Sequence, residues 1–244
     1  MKKNTPIEVI YADDHIVIAN KQAGIAVIPE RLNTERATVQ RILEQQFGKL
    51  FVVHRIDKPT SGIICFARNE AAHRHISLQF QNHEVQKFYL AVVQGKLPYE
   101  RAEIDAPLAP NPAKPGTMMV SKNGKEAKTI CNVVEEFRSC SLLSVEIKTG
   151  RMHQIRVHLA SVGNPLLVDE LYGSAPAFYF SSIKRKNFKL SAEEERPTIA
   201  RITLHAHRLT LLHPATNQLV SFEAPPAEDI QTLLKLLRRY DTAK

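Results

Sequence analysis

The segment Phe51-Val52-Val53-His54-Arg55-Ile56-Asp57-Lys58-Pro59-Thr60-Ser61-Gly62-Ile63-Ile64-Cys65-Phe66-Ala67 sets a loop of polar and turn-forming residues between two apolar, β-prone runs. The flanking runs read as buried strands. A strand-to-loop junction of this kind is where a rigid scaffold presents reactive groups. The loop from His54 to Gly62 holds one carboxylate, two cations, an imidazole and two hydroxyls. On spacing alone the plainer reading is at least as good: Asp57 as a turn residue accepting hydrogen bonds from Thr60 and Ser61.

Upstream of this loop, Ile7 to Tyr11 and Ile16 to Asn20 flank Ala12-Asp13-Asp14-His15 and predict a hairpin. Val39, Ile42, Leu43 and Phe47 recur at helical spacing, with Gly48 as the stop. Downstream, Asn69 can cap a helix carrying Ile76 and Phe80. Val85 to Gln94 reads as a strand apolar on both faces. The Pro- and Gly-rich stretch 107–126 reads as largely loop. Strands are expected over Lys128–Phe137 and Leu142–Lys148, a helix over Met152–Val162, and strands near Ile202–Leu212 and Gln218–Phe222. A closing helix follows Pro225-Pro226 and buries Ile230, Leu233, Leu234 and Leu237. The pattern is α+β: a mixed, mainly antiparallel sheet with flanking helices, expected to form one catalytic domain over residues 1–244.

Composition narrows the function classes. The net charge of +8 favours a polyanionic partner. Cys65, Cys131 and Cys140 are too few and too scattered for a disulfide framework or a zinc knuckle, which fits a reducing compartment. No apolar run approaches membrane-spanning length, and a cytoplasmic protein without a membrane partner is expected.

A second cluster lies in Gly150-Arg151-Met152-His153-Gln154-Ile155-Arg156-Val157-His158. In a helix starting here, His153, Arg156 and Val157 share a face. Cations in a first helical turn oppose the dipole, so an anion is expected close by. That anion is either bound from outside or a structural carboxylate paired with Arg156.

Together the two clusters resemble the signatures of RluA-type RNA pseudouridine synthases. His54-Arg55-Ile56-Asp57 with Thr60-Ser61-Gly62 is similar to the first, and Gly150 to Arg156 to the second. Leu171-Tyr172-Gly173, the opening Val9 to Asp14 and Asn20 to Gly24, Lys87-Phe88-Tyr89-Leu90-Ala91, and His205-Ala206-His207-Arg208-Leu209 also fall in the family's order. The chain departs from the usual pattern at Gln22, Met152 and Val168, where relatives carry proline, threonine or serine, and glycine.

The resemblance implies the pseudouridine synthase fold without a preceding RNA-binding module. It also implies isomerisation of uridine to pseudouridine in structured rRNA or tRNA. The reaction breaks a glycosidic bond and rejoins the base to the same ribose through C5, so neither cofactor nor metal is expected. Asp57 is implied as the catalytic carboxylate, nucleophile or base toward the ribose. Tyr89 is implied to stack on the uracil and Arg156 to hold Asp57 ionised. Arg55 is implied to fill the space left by the flipped base. RNA contacts are assigned to His54, Arg151, His153, Gln154, Lys184, Arg185 and Lys186, the last three also reading as a plain solvated basic stretch. The enzyme is expected to act as a monomer.

Rival readings are weaker. His73/His75 sit at a spacing that diverges on a helix, and His205/His207 lack a third ligand at metal spacing. A phosphatase-like aspartyl-phosphate loop needs a second aspartate where Pro59 stands. An RNA-binding protein without turnover would have no need to retain Asp57, Tyr89 and Arg156 together.

Overall fold

Asp13 closes the first turn. Its carboxylate accepts the N–H groups of His15 and Ile16, each at 2.8 Å, and β1 (Ile7–Ala12) folds back antiparallel on β2 (Ile16–Lys21). The structure is a computed structural model describing residues 7–29, 36–173, 175–184 and 194–243. In chain order there follow α1 (Val39–Phe47), β3 (Phe51–Val52), β4 (Ser61–Ala67), α2 (Glu70–Gln81), β5 (Gln86–Gln94), β6 (Arg101–Asp105), β7 (Leu108–Pro110) and β8 (Met118–Val120). The remainder is β9 (Lys128–Glu136), β10 (Cys140–Ile147), α3 (Gln154–Ser161), β11 (Leu204–Leu212), β12 (Leu219–Glu223) and α4 (Glu228–Tyr240). This is the mixed, mainly antiparallel α+β architecture expected from the sequence. Among the described residues no helix is long and apolar enough to cross a membrane.

The chain forms two compact units, residues 1–88 with 205–225 and residues 89–204 with 226–244. In the first, the strand order is β1-β2-β4-β11, with β3 beside β4 and β12 beside β11. Thr38 and Asn69 cap α1 and α2 by accepting the N–H groups of Arg41 and Ala72. Gly48, at φ 72°, ends α1. All seven residues of β4 are buried. One edge of β4 is taken by β2, the other by β3 at its end and by β11, running parallel, at its start.

That parallel pairing dictates Gly62. It lies opposite Ala206 at φ 113°, and a Cβ there would stand 2.1 Å from the Ala206 carbonyl oxygen. Both the backbone conformation and the neighbouring strand therefore demand glycine. Gly62→Ala is expected to cost roughly 2–5 kcal/mol, adding the left-handed penalty to overpacking against main chain. The thermal midpoint should fall by roughly 5–15 °C; an unchanged midpoint would contradict the tight parallel approach.

In the second unit the strand order is β5-β10-β9-β6, and β7 pairs separately with β8. Helix α4 buries Ile230, Leu233, Leu234 and Leu237 as its periodicity predicts. Each contributes about 1.5–3 kcal/mol of apolar burial. Two expectations change. The stretch 107–126 contains the β7–β8 hairpin, braced where Leu108 and Lys125 exchange both main-chain hydrogen bonds. Its prolines and glycines hid three-residue strands too short to show alternation. Helix α3 starts at Gln154 rather than Met152, because His153 takes a left-handed conformation (φ 55°, ψ 18°) just before it.

Candidate active site

Asp57 is half-buried and Arg55 exposed in the loop between β3 and β4, while Ile56 between them is buried. The loop is fastened at Asp57 and at the residue after it. Thr60 N–H donates to the Asp57 main-chain carbonyl at 3.0 Å, and Gly24 N–H donates to the Lys58 carbonyl at 2.8 Å. Lys21, fully buried, donates from Nζ to the carbonyls of Gln22 (3.1 Å), Ile25 (2.9 Å) and Lys58 (3.0 Å). Burying an ammonium is costly unless it is hydrogen-bonded. Three carbonyls meet that need here and draw the Asp57 loop onto the end of β2.

The rest of the first signature is scaffold. The Ser61 hydroxyl lies 2.9 Å from His205 Nδ1, and His205 Nε2 lies 3.2 Å from the Ala224 carbonyl. The carbonyl can only accept, so His205 donates from Nε2, and its Nδ1 shares a hydrogen bond with Ser61. Ser61 thus has a partner in His205. His54 accepts the Cys65 N–H at Nε2 (3.0 Å) and stacks on Phe80 at 4.7 Å. Burial, reinforced by the Lys87 ammonium, holds the His54 pKa down at about 3. At neutral pH it has no charge to offer a phosphate, so its assignment among RNA contacts loses its electrostatic basis.

In the second unit, Arg156 is only 3% exposed and grips Asp169 through two parallel bonds, Nε to Oδ2 and Nη2 to Oδ1, both 2.7 Å. Asp169 also accepts the N–H groups of Leu171 (3.0 Å) and Tyr172 (3.2 Å). Burial pushes the Asp169 carboxyl up, but the Arg156 bonds and charge together with these N–H groups outweigh it, and its pKa is lowered. Gly173 is required beside them, since a Cβ would meet the Asp169 carbonyl oxygen at 2.8 Å. Leu171-Tyr172-Gly173 is thus the loop that builds the Arg156 anchor. Asp169 is the structural carboxylate that the cation cluster at 151–156 called for.

Gln154 is buried, and its amide is engaged on both sides. Oε1 accepts from Thr149 Oγ1 (2.7 Å) and Arg151 N–H (3.0 Å), while Nε2 donates to the Lys128 carbonyl (3.0 Å) and Thr129 Oγ1 (3.1 Å). This amide packs the base of α3 and does not reach outward as an RNA contact would. Arg151 donates from Nε to the Glu126 carbonyl at 2.9 Å. His153 lies 2.8 Å from the Tyr172 hydroxyl through Nδ1. Tyr89, half-buried on β5, packs against the unit's apolar core. Lys184 lies 5.5 Å from the ring centroids of Phe180 and Tyr240. Arg185 and Lys186 lie outside the described residues.

Sequence reasoning missed Lys21, Asp169 and Tyr172 as supports. Lys21 carried a signal: alternation along β2 places it on the face of Val17 and Ala19, an inward lysine among apolar residues. The histidine pairs have structural partners. His73 stacks on Phe51, His75 bonds Asn217, and His205 and His207 both reach the Ala224 carbonyl. Among the described residues no group of three or more His, Cys, Asp or Glu side chains could hold a metal ion.

The chain belongs to the RNA pseudouridylate synthase family, whose profile matches residues 15–161 and so spans both signature segments. Members of this family isomerise uridine in RNA to pseudouridine, and the chain is an RNA pseudouridine synthase. It is 32% identical over 246 residues to the ribosomal large subunit pseudouridine synthase D of Zymomonas mobilis, covering 96% of this chain and 74% of that protein. It is 34% identical to an uncharacterized RNA pseudouridine synthase of Aquifex aeolicus (98% and 75% covered) and to the ribosomal large subunit pseudouridine synthase C of Vibrio vulnificus (94% and 69% covered). Two human structures share the fold at 23% identity. RNA pseudouridylate synthase domain containing 4 has a TM-score of 0.74 over 94% of this chain and 92% of that one, and domain containing 1 a TM-score of 0.70 over 100% of both.

Proposed function

We propose that this enzyme modifies uridine in large-subunit ribosomal RNA and that Asp57 is its catalytic carboxylate. The observation that carries the assignment is the loop itself. Asp57 is the carboxylate of the first signature, half-buried, in a loop fastened through its own main-chain carbonyl and that of Lys58. A group that must meet one ribose atom benefits from such preorganisation. The substrate class rests on the relatives that act on the ribosomal large subunit.

The chemistry balances without a co-reactant. The C1′–N1 bond breaks, C1′ bonds to C5, C5 gives up its proton and N1 takes one. Asp57 acts in its ionised form, as nucleophile at C1′ or as base toward the ribose. Arg156, by its place in the second signature, is the cationic support of the catalytic carboxylate. Tyr89 stacks on the uracil, and the planar cation of Arg55 takes the place of the flipped base. Arg151, His153 and the basic run from Lys184 engage RNA phosphates. The two compact units serve as one catalytic domain, acting as a monomer in the cytoplasm.

The test is tritium release from ribosomal RNA labelled at uracil C5, in buffer containing EDTA. The expected result is release at the rate seen without EDTA. Release that stops with chelation and returns with Mg²⁺, on RNA shown to stay folded, would contradict the cofactor-free chemistry. Release only from transfer RNA would move the substrate class.

A further inference from the structure

The residue that joins the Arg156 anchor to the rest of its unit is Tyr172. Its ring centroid lies 5.0 Å from Arg156 Cζ, and its N–H donates to the same Asp169 carboxylate that holds Arg156. Its hydroxyl accepts the main-chain N–H of Met118 on β8 at 2.7 Å and lies 2.8 Å from His153 Nδ1. The His153 ring meets the Tyr172 ring edge-on at 5.5 Å. A residue that only filled the apolar space beside Leu108 and Val157 could be phenylalanine, for it would use no hydroxyl. This hydroxyl instead joins a strand, a histidine and, through its ring, an arginine.

The geometry at His153 points the same way. A side chain in the left-handed region costs about 1–2 kcal/mol, and such residues persist where their surroundings hold them. His153 holds that conformation at the step into α3, two residues after Arg151 and three before Arg156. Its bond to the Tyr172 hydroxyl holds the ring, and the face of Tyr172 lies under the guanidinium carbon.

We propose that Tyr172 is a positioning residue for the isomerisation, setting Arg156 and His153 at the start of α3 and tying both to strand β8. The proposal rests on the reading of Arg156 as a support of Asp57. Tyr172 touches no reacting atom in this account; it acts through Arg156.

The experiment is single-turnover tritium release at several RNA concentrations with Tyr172→Phe, Tyr172→Leu, Arg156→Lys and the Tyr172→Leu/Arg156→Lys double variant, each with a thermal midpoint. Tyr172→Phe keeps the ring and should lower kcat about two- to fivefold. Tyr172→Leu also loses the cation–π face and should lower it about tenfold or more, with KM changed less than about twofold. Lysine cannot present the flat fork that Tyr172 orients. In the Arg156→Lys background, Tyr172→Leu should therefore cost less than about twofold further. Native kcat in Tyr172→Leu, with only the midpoint lowered, would overturn the proposal, as would losses that multiply in the double variant. If Tyr172→Leu fails to fold, native kcat in Tyr172→Phe overturns the role of the hydroxyl. Native kcat in Arg156→Lys would instead defeat the reading of Arg156 itself.

Discussion

Arg156→Ala is expected to lower both stability and turnover, by two separable routes. The stability loss comes from Asp169, which is fully buried and would be left without its bidentate partner. Removing one member of a buried ion pair costs about 3–5 kcal/mol. The turnover loss follows from the proposed role of Arg156 as a support of the catalytic carboxylate, and should be about 10²–10³-fold. Acid titration separates the two. The Asp169 pKa is lowered in the folded protein. Its contribution is therefore fully present above the ordinary carboxylate value of about 3.9 and is lost as pH falls through the folded value. Thermal midpoints of the wild type should drop below about pH 4, with a flatter acid limb in Arg156→Ala. Near-native turnover at neutral pH in a folded Arg156→Ala protein would remove Arg156 from the catalytic account.

The same pair shows where sequence reading stops. The local devices were legible: the Asp13 turn, the Asn69 cap, Gly48 closing α1 and the apolar stripe of α4 all act within a few residues of themselves. Both signature segments were legible too, because their residues are contiguous. What the sequence could not display is pairing set by topology. Ser61 meets His205, 144 residues away, only because β4 and β11 run parallel. Gly62 is needed for the same reason, a close strand and not a turn. The anion expected near Arg156 proved to lie 13 residues onward in the chain, on a loop that returns to α3. His54 stands in the sequence as an RNA contact and is neutral once burial acts on it. Residues that hold a site in place are therefore the ones hidden, while residues that define it stand in the motif.

The role of Asp57 is tested by Asp57→Asn. Asparagine nearly matches the shape of aspartate, and the main-chain bonds that fasten the loop, from Thr60, Gly24 and Lys21, do not involve the side chain. The fold and RNA binding should therefore survive, with a stability change of about 1 kcal/mol. The amide cannot act as an anionic nucleophile or base, so turnover should fall by about 10⁴-fold or more. Thermal melting, RNA titration and tritium release from C5-labelled RNA, on one preparation, read all three. The account predicts a folded, RNA-binding protein that releases no tritium above background; a folded Asp57→Asn protein releasing tritium at the wild-type rate would contradict it.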